Sequence, residues 1–249
     1  MTLPVHLVDD LADATAGSTV EVRGDEAHHA VAVRRLTVGE PVILTDGVGR
    51  SVTGPIASTG KKVFTVTVES VEAAPRPHPT FTVVQALPKG DRGELAVEML
   101  TEVGVDVVVP WAASRSVAVW RGERAVKSHA KWAATAREAA KQARRVWHPE
   151  VSTLASTADV VAAIEAASLA VVLHEEAAVP LRDLAVPAVG EVLVVVGPEG
   201  GVAPEELEAF TSAGARSVRL GAEVLRTSTA GVVAVGALLA RTERWGARD

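Results

Sequence analysis

The segment Val192-Leu-Val-Val-Val-Gly197-Pro198-Glu199-Gly200-Gly201-Val-Ala-Pro204-Glu-Glu206 joins an aliphatic strand to a loop built mainly from glycine. Glycines at such a point let the main chain approach a ligand closely and leave amide N–H groups free to donate, while Pro204 and the acids after it suit the first turn of a helix. The spacing matches neither the G-x-G-x-x-G dinucleotide fingerprint nor the Walker A loop, so a ligand-binding turn and an ordinary strand-to-helix turn both remain open. A second loop, Val218-Arg-Leu220-Gly221-Ala-Glu-Val224-Leu225-Arg226-Thr-Ser-Thr229-Ala230-Gly231, again leaves a strand through a glycine and enters a helix that Thr227 or Ser228 could cap. Arg226 stands near that helix start, where the dipole disfavours a cation, so its position suggests an anionic partner such as a carboxylate or a phosphate. With Leu173-His174-Glu175-Glu176 after a third strand, the two loops could wall a single pocket at the carboxyl ends of parallel strands.

A second signal is electrostatic. Between Trp111 and His148 there are nine Lys or Arg (Arg115, Arg121, Arg124, Lys127, Lys131, Arg137, Lys141, Arg144, Arg145) against Glu123 and Glu138, a local balance of +7 within a chain of net charge −6. The remainder therefore carries −13, and an acidic total does not prevent a local phosphate-binding surface. On a helix over Ala125–Val146, the cations from Lys127 to Arg145 fall within an arc of about 140°, with Trp132, Ala136, Ala139, Ala140, Ala143 and Val146 opposite. Only Glu138 opposes them on that arc, so the face reads either as solvated or as phosphate-binding.

These loops need a scaffold. Residues 1–74 read as short strands: Val42 to Leu44, a turn at Asp46-Gly47 and Gly49, Ser51 to Ile56, and the alternating Val63-Phe-Thr-Val-Thr-Val68, together a small β-barrel or sandwich. The proline-rich segment at 75–79 marks a domain boundary. From 80 to 249 strands alternate with helices, which predicts a mostly parallel α/β sheet covered on both faces. Its elements are strands at Phe81–Leu87, Val105–Val109, Leu169–Leu173, Val192–Val196 and Ser217–Leu220. The helices are Glu94–Val103 with a stripe of Leu95, Met99 and Val103 ended by Gly104, the long basic one, Pro204–Ser212 and Thr227–Arg241.

The chain has 249 residues, 48% hydrophobic and 22% charged, enough for one large domain or two modest ones. It contains no cysteine, which excludes disulfide scaffolds, thiolate zinc sites, iron–sulfur clusters and cysteine nucleophiles. Adjacent His28 and His29 would point to opposite faces of a strand and lack a third ligand nearby, so no metal is expected. The first twenty residues lack the basic and apolar regions of a signal peptide, and no stretch is apolar for long enough to span a membrane. A cytoplasmic protein is expected.

Gly197-Pro-Glu-Gly-Gly201 together with Leu220-Gly-x-x-Val-Leu-Arg226-Thr-x-Thr-Ala230 resembles the SPOUT-class RNA methyltransferases, and specifically the RsmE family, which methylates N3 of one uridine in the decoding region of 16S ribosomal RNA. The resemblance continues in His28-His29, Val33-Arg34-Arg35 and Gly39, in Lys89-Gly-Asp-Arg92, in Thr101-Glu-Val-Gly-Val105, in Pro110 with Ser114-Arg115-Ser116, and from Lys131-Trp132 to Arg144-Arg145. It thus runs through nearly the whole chain. It departs where the family usually has Arg-x-Glu-Thr-Ala, since Ser228 replaces the glutamate; a serine there could still cap the helix. The resemblance implies a PUA-like β-barrel RNA-docking domain, an α/β domain with a C-terminal trefoil knot, a homodimer and S-adenosylmethionine as cofactor. The implied cofactor residues are Leu173, Gly197, Pro198, Glu199, Gly200, Gly201, Leu220, Gly221, Val224, Leu225, Arg226 and Thr229. The implied RNA surface takes Arg23, His29, Arg34 and Arg35 from the β domain with Lys89, Arg92, Arg115, Arg121, Arg124, Lys131, Arg137, Lys141, Arg144 and Arg145. Methyl transfer from a sulfonium needs alignment rather than a metal or a thiolate. Uridine N3 must lose a proton, so Arg226 is expected to stabilise the developing anion, or to hold a phosphate or the cofactor carboxylate, with Glu199 as base. A nucleotide-binding α/β enzyme using Gly197 to Gly201 for phosphate and a non-catalytic RNA-binding assembly factor are the competing functions.

Overall fold

The computed structural model describes residues 3–246. The chain divides into two compact units, the first containing residues up to Arg76 together with Ala140–His148, the second containing Pro77–Ala139 and everything from Pro149 onward. The first crossing lies within the proline-rich segment; the return of residues 140–148 to the first unit is not marked by any proline or glycine run.

The first unit contains β1 (Val5–Leu7), β2 (Thr19–Arg23), α1 (Gly24–His28), β3 (Pro41–Thr45), β4 (Arg50–Gly60), β5 (Val63–Thr67) and β6 (Ser70–Ala73). The turn between β3 and β4 places Gly47 and Gly49 at φ 73° and 108°, and the Asp46 carboxylate accepts from Val48 N at 2.8 Å and Arg50 N at 3.0 Å. β4 pairs with β3 and β6 over its first half and with β5 over its second, changing partner near an irregularity between Ile56 and Ser58. The sheet order is β1-β3-β4-β5-β2, over a core of Val42, Leu44, Val52, Ile56, Phe64 and Val66. His28 and His29 are not on a strand. His28 closes α1 and His29 opens a π-helical turn to Val33, because Ala27 and Ala30, three residues apart, are the positions that face the core.

Residues 140–148 join this unit through charge. Lys141 Nζ lies 2.9 Å from Glu26 Oε2, and His6 Nδ1 lies 3.0 Å from Glu26 Oε1. Burial on its own would raise the Glu26 carboxyl, but the hydrogen bonds and charges of His6 and Lys141 outweigh it and hold the group down at about 2. Burial, aided by the neighbouring charges of Arg145 and Lys141, lowers His148 to about 4. Trp147 packs over Gly49, where any Cβ would stand 2.5 Å from the ring, and its indole donates to the Ala74 carbonyl at 3.0 Å.

The second unit contains β7 (Thr80–Ala86), α2 (Arg92–Val103), β8 (Val107–Trp111), α3 (Gly122–Gln142, whose last turn belongs to the first unit), β9 (Glu150–Val151), α4 (Thr157–Ala166), β10 (Leu169–Leu173), β11 (Val179–Pro180), β12 (Glu191–Val196), α5 (Pro204–Ser212), β13 (Arg216–Arg219) and α6 (Thr227–Leu239). The seven strands run in the order β11-β13-β10-β12-β7-β8-β9, and every pairing is parallel. β12 is buried on both faces: Val192, Val194 and Val196 enter one core with α2 and α6, while Leu193 and Val195 enter the other with α4 and α5. The sheet thus has the covered parallel form that an unbroken aliphatic run requires.

Two helices differ from the sequence reading. α2 buries Gly93, Ala96, Val97, Leu100 and Thr101 and leaves Leu95 43% exposed, since it packs along α6, where Leu100 lies against Gly231, and at Gly93 it meets the Trp132 ring, from which a Cβ would stand 2.6 Å. α3 stops at Gln142 instead of Val146. Arg144 takes the left-handed conformation at φ 54°, and Arg144 N and Arg145 N bond back to Lys141 O and Ala140 O in a Schellman cap, so Ala143 is exposed instead of continuing the apolar stripe. α4 carries a capping box between Ser156 and Asp159 and was absent from the sequence reading.

Because Glu26 and His148 both sit below their ordinary values, each binds a proton more readily in the unfolded chain, and stability declines as pH falls from 6.5 towards about 4 for His148 and from 4.5 towards about 2 for Glu26. Urea titrations at pH 7 and 5 are expected to show the wild type losing roughly 1–2 kcal/mol, with His148→Gln losing much less. Equal losses in the two proteins would refute the assignment to His148.

Candidate functional site

Three parallel strands end side by side, β13, β10 and β12, and the chain leaving each forms part of one cleft of about 830 Å³. Behind β12 the chain turns tightly. A Cβ at Gly197 would stand 2.8 Å from the Val202 side chain, one at Gly200 would stand 3.3 Å from Arg115 Cβ, and Gly201 adopts φ 73°. The glycines are therefore required by the turn, and they leave main chain as the wall.

Of the residues expected around a cofactor, Leu173, Gly197, Pro198, Glu199, Gly200, Gly201, Leu220, Gly221, Val224, Leu225 and Arg226 line the cleft. Thr229 does not; its hydroxyl donates to the Arg226 carbonyl at 3.1 Å inside the first turn of α6. His174, Glu175 and Glu176 add an acidic rim, and Arg92 and Arg115, expected on an RNA surface, reach the cleft as well. Arg226 is the N-cap of α6, exposed, and its guanidinium has no carboxylate partner among the described residues. Glu199 is exposed and accepts from the Lys89 amide at 3.1 Å, which ties the loop after β7 to the glycine loop. Among the described residues no cluster of three or more His, Asp or Glu is placed to hold a metal ion.

The capping expectation at α6 is corrected. Neither Thr227 nor Ser228 caps the helix: the Thr227 hydroxyl donates to the Gly197 carbonyl at 2.7 Å, and the Ser228 hydroxyl is buried without a partner. Thr227 itself receives a hydrogen bond from Gln85 Nε2 at 3.0 Å. A second support comes from Glu206, buried in the first turn of α5. Its carboxylate accepts from Ser114 N at 2.8 Å, from Thr157 Oγ1 at 3.2 Å and from Ala203 N at 3.2 Å, and Arg115 in turn donates to the Gly200 carbonyl at 3.1 Å. The loop after β8 is thereby anchored at both ends of the Ser114-Arg115 step. Sequence reading passed over Gln85 and Glu206 as chemistry. A lone Gln in an aliphatic strand and a Glu three residues after a helix start were the available signals.

The basic residues are dispersed in role. Arg121, Arg124 and Arg137 are exposed on or just before α3, and Arg144 is exposed beyond its end. Lys131 lies 2.9 Å from Glu94 Oε1 and Lys141 is bound to Glu26, so two cations of the stripe have carboxylate partners from distant sequence. Arg145 donates to the Trp147 carbonyl at 2.9 Å. In the first unit Arg23 pairs with Glu21 at 2.5 Å, and His29, Arg34 and Arg35 are exposed along and after the π-helical turn.

Comparison with known proteins gives a consistent picture. Residues 75–239 match the RNA methyltransferase domain family and residues 22–69 the RNA methyltransferase PUA domain family. A ribosomal RNA small subunit methyltransferase E of Mycobacterium bovis is 44% identical, the alignment covering 99% of this chain and 95% of the relative. The protein of that name from Bacillus subtilis is 30% identical over 90% of this chain and 91% of its own length. A Legionella pneumophila methyltransferase structure in complex with the bound cofactor SAM superimposes with a TM-score of 0.88 at 26% identity, covering 97% of this chain and 99% of the other.

Removing the Glu206 carboxylate leaves the buried Ala203 amide, the part-buried Ser114 amide and the Thr157 hydroxyl without this acceptor. Glu206→Ala is expected to cost about 3 kcal/mol and to lower Tm by roughly 6–12 °C in a thermal melt. A melt unchanged within 1–2 °C would show that the carboxylate is dispensable.

Proposed function

The chain belongs to the ribosomal RNA small subunit methyltransferase E family, and on that premise we propose that it is an S-adenosylmethionine-dependent methyltransferase acting on N3 of one uridine of 16S ribosomal RNA. The observation that carries the reading is the glycine-walled cleft at the ends of β10, β12 and β13, with the unpartnered Arg226 at its edge.

The cleft suits the cofactor. Its volume falls in the range of small-molecule sites, and the glycine turn provides main-chain donors and acceptors where a side chain would fill the space. Gly197 to Gly201, Leu220, Gly221, Val224 and Leu225 would hold it, with Leu173 as an apolar wall. When bound, the sulfonium supplies an activated methyl group. The residues of the chain have two further tasks. The Glu199 carboxylate uses one oxygen to receive the Lys89 amide and keeps the other as an acceptor for the imide proton of the base. The Arg226 guanidinium, uncommitted to any carboxylate, favours the anion left on the uracil ring.

RNA is held by charge distributed over both units: His29, Arg34 and Arg35 in the first, Lys89, Arg92, Arg115, Arg121, Arg124 and Arg137 in the second, with Arg144 beyond the end of α3. Arg23, Lys131, Lys141 and Arg145 contribute less, since each is already engaged inside the protein. In the first unit, we read the PUA-type sheet as curling into a barrel about β4, the strand shared by both of its halves. For the second unit we propose the trefoil threading of the C-terminal chain. α6 has no charged residue, and Val233 and Ala237 on it and Ala240 at its C-cap remain exposed with Trp245 close to Gly236, a surface that fits a second copy of the chain. No helix among the described residues is long and apolar enough to cross a membrane, and the proposed place of action is the cytoplasm.

Isothermal titration is expected to show S-adenosylmethionine binding and no binding of ATP; the reverse would replace this reading with a nucleotide-binding enzyme. Arg226→Ala is expected to lower kcat/KM on 16S RNA by about 100-fold, and full turnover in that variant would remove Arg226 from the chemistry. Sedimentation should give a dimer for the wild type and a monomer for Val233→Glu. A monomeric wild type would rule out the second copy.

A further inference from the structure

We infer that Gln85 is a positioning residue for the cleft: through the Thr227 hydroxyl it fixes the Gly197 carbonyl and so couples the two loops that wall the site. The inference rests on the methyltransferase reading for the identity of the ligand and on geometry alone for the coupling.

Gln85 is wholly buried at the carboxyl end of β7, in register with Val196, the last residue of β12 before Gly197. Its amide has two N–H groups and both are used, one on Thr227 Oγ1 at 3.0 Å and one on the Ala86 carbonyl at 3.1 Å. Turning the amide over would set its oxygen against that carbonyl, two acceptors face to face, so the orientation is determined. The Thr227 hydroxyl has a single proton. Since it receives from Gln85, that proton goes to the Gly197 carbonyl, 2.7 Å away. The result is a one-way chain from β7, through the first residue of α6, to the first residue of the glycine loop.

Stability does not account for a glutamine here. Gln85 Oε1 is buried with no partner, and an orphaned acceptor in the core is unfavourable. An unbranched apolar residue of similar length would fill the space without it, in a strand whose neighbouring Val83, Val84 and Ala86 are already buried and apolar. What the amide contributes is direction. The residues from Gly221 to Arg226 are all exposed, and Glu199, Gly200 and Gly201 are exposed as well, so the stretch between Pro198 and Val202 and the stretch leading to Arg226 have no buried side chain to hold them. Joining their roots at Gly197 and Thr227 removes motion that binding would otherwise have to arrest.

The test compares wild type, Gln85→Met, Thr227→Val and Thr227→Ser by amide hydrogen exchange without ligand and by S-adenosylmethionine titration and turnover. Gln85→Met and Thr227→Val are expected to speed exchange in residues 197–201 and 220–226 and to raise the cofactor KM about tenfold, with kcat at saturation little changed. Gln85→Met should melt no lower than wild type, and Thr227→Ser, which keeps the hydroxyl, should restore slow exchange. Wild-type exchange in both loops of Thr227→Val, or equal loss of protection in the Ser and Val variants, would overturn the coupling. Exchange decides this even if the wild type fails to bind S-adenosylmethionine, a result that would sink the methyltransferase reading instead.

Discussion

β12 has no face that can meet water. Five consecutive aliphatic residues, buried alternately in two cores, can exist only as a central strand of a sheet covered on both sides, and that requirement organises the second unit. Parallel neighbours follow, because crossovers through helices are what cover both faces. The carboxyl ends of β10, β12 and β13 then lie together, and chain leaving them has to turn away at one edge. The cleft is the space those turns enclose, and the glycines at 197, 200 and 201 are what permit a turn so close to Val202 and Arg115.

Around this apolar strand the polar groups are few and specifically employed. Glu206 gathers three donors from separate stretches of chain, and Gln85 sends two hydrogen bonds outward from inside the sheet. Both lie behind the cleft instead of in it. Residues that touch the ligand space are largely main chain, so their geometry has to be imposed from behind, and the buried amide and carboxylate do so by hydrogen bonds whose donors and acceptors cannot be exchanged.

What could be read from residues alone divides along the range of the interactions concerned. The alternating pattern of Val63–Thr67, the aliphatic run of β12, the stop at Gly104 and the glycine loop are local, each decided within a few residues, and they were legible. The return of Ala140–His148 to the first unit was not, because it depends on Lys141 meeting Glu26, 115 residues away. For the same reason the basic stripe looked freer than it is: the partners of Lys131 and Lys141 lie on α2 and α1, outside any helical spacing. The placement of His28 and His29 on a strand failed where Ala27 and Ala30 set a helical spacing too short to stand out. Within the site, the loop residues were legible by type. Gln85 was not, since its value comes from a hydroxyl 142 residues further on.

The segment after α6 is fastened to the beginning of its unit. Arg244 places its guanidinium 2.6 Å from Asp106 and also donates to the carbonyls of Pro79 and Gly104, while Asp106 receives the Phe81 amide that opens β7. A ribosome making this protein therefore exposes β7 some 160 residues before the group that clasps its start exists. Until then the Asp106 carboxylate, destined for a dry interior, lacks the Arg244 guanidinium that meets it in the folded unit. The second unit thus lacks this clasp until Arg244 has been made, and a chain ending before it would retain the cleft's sequence while lacking the clasp beneath it.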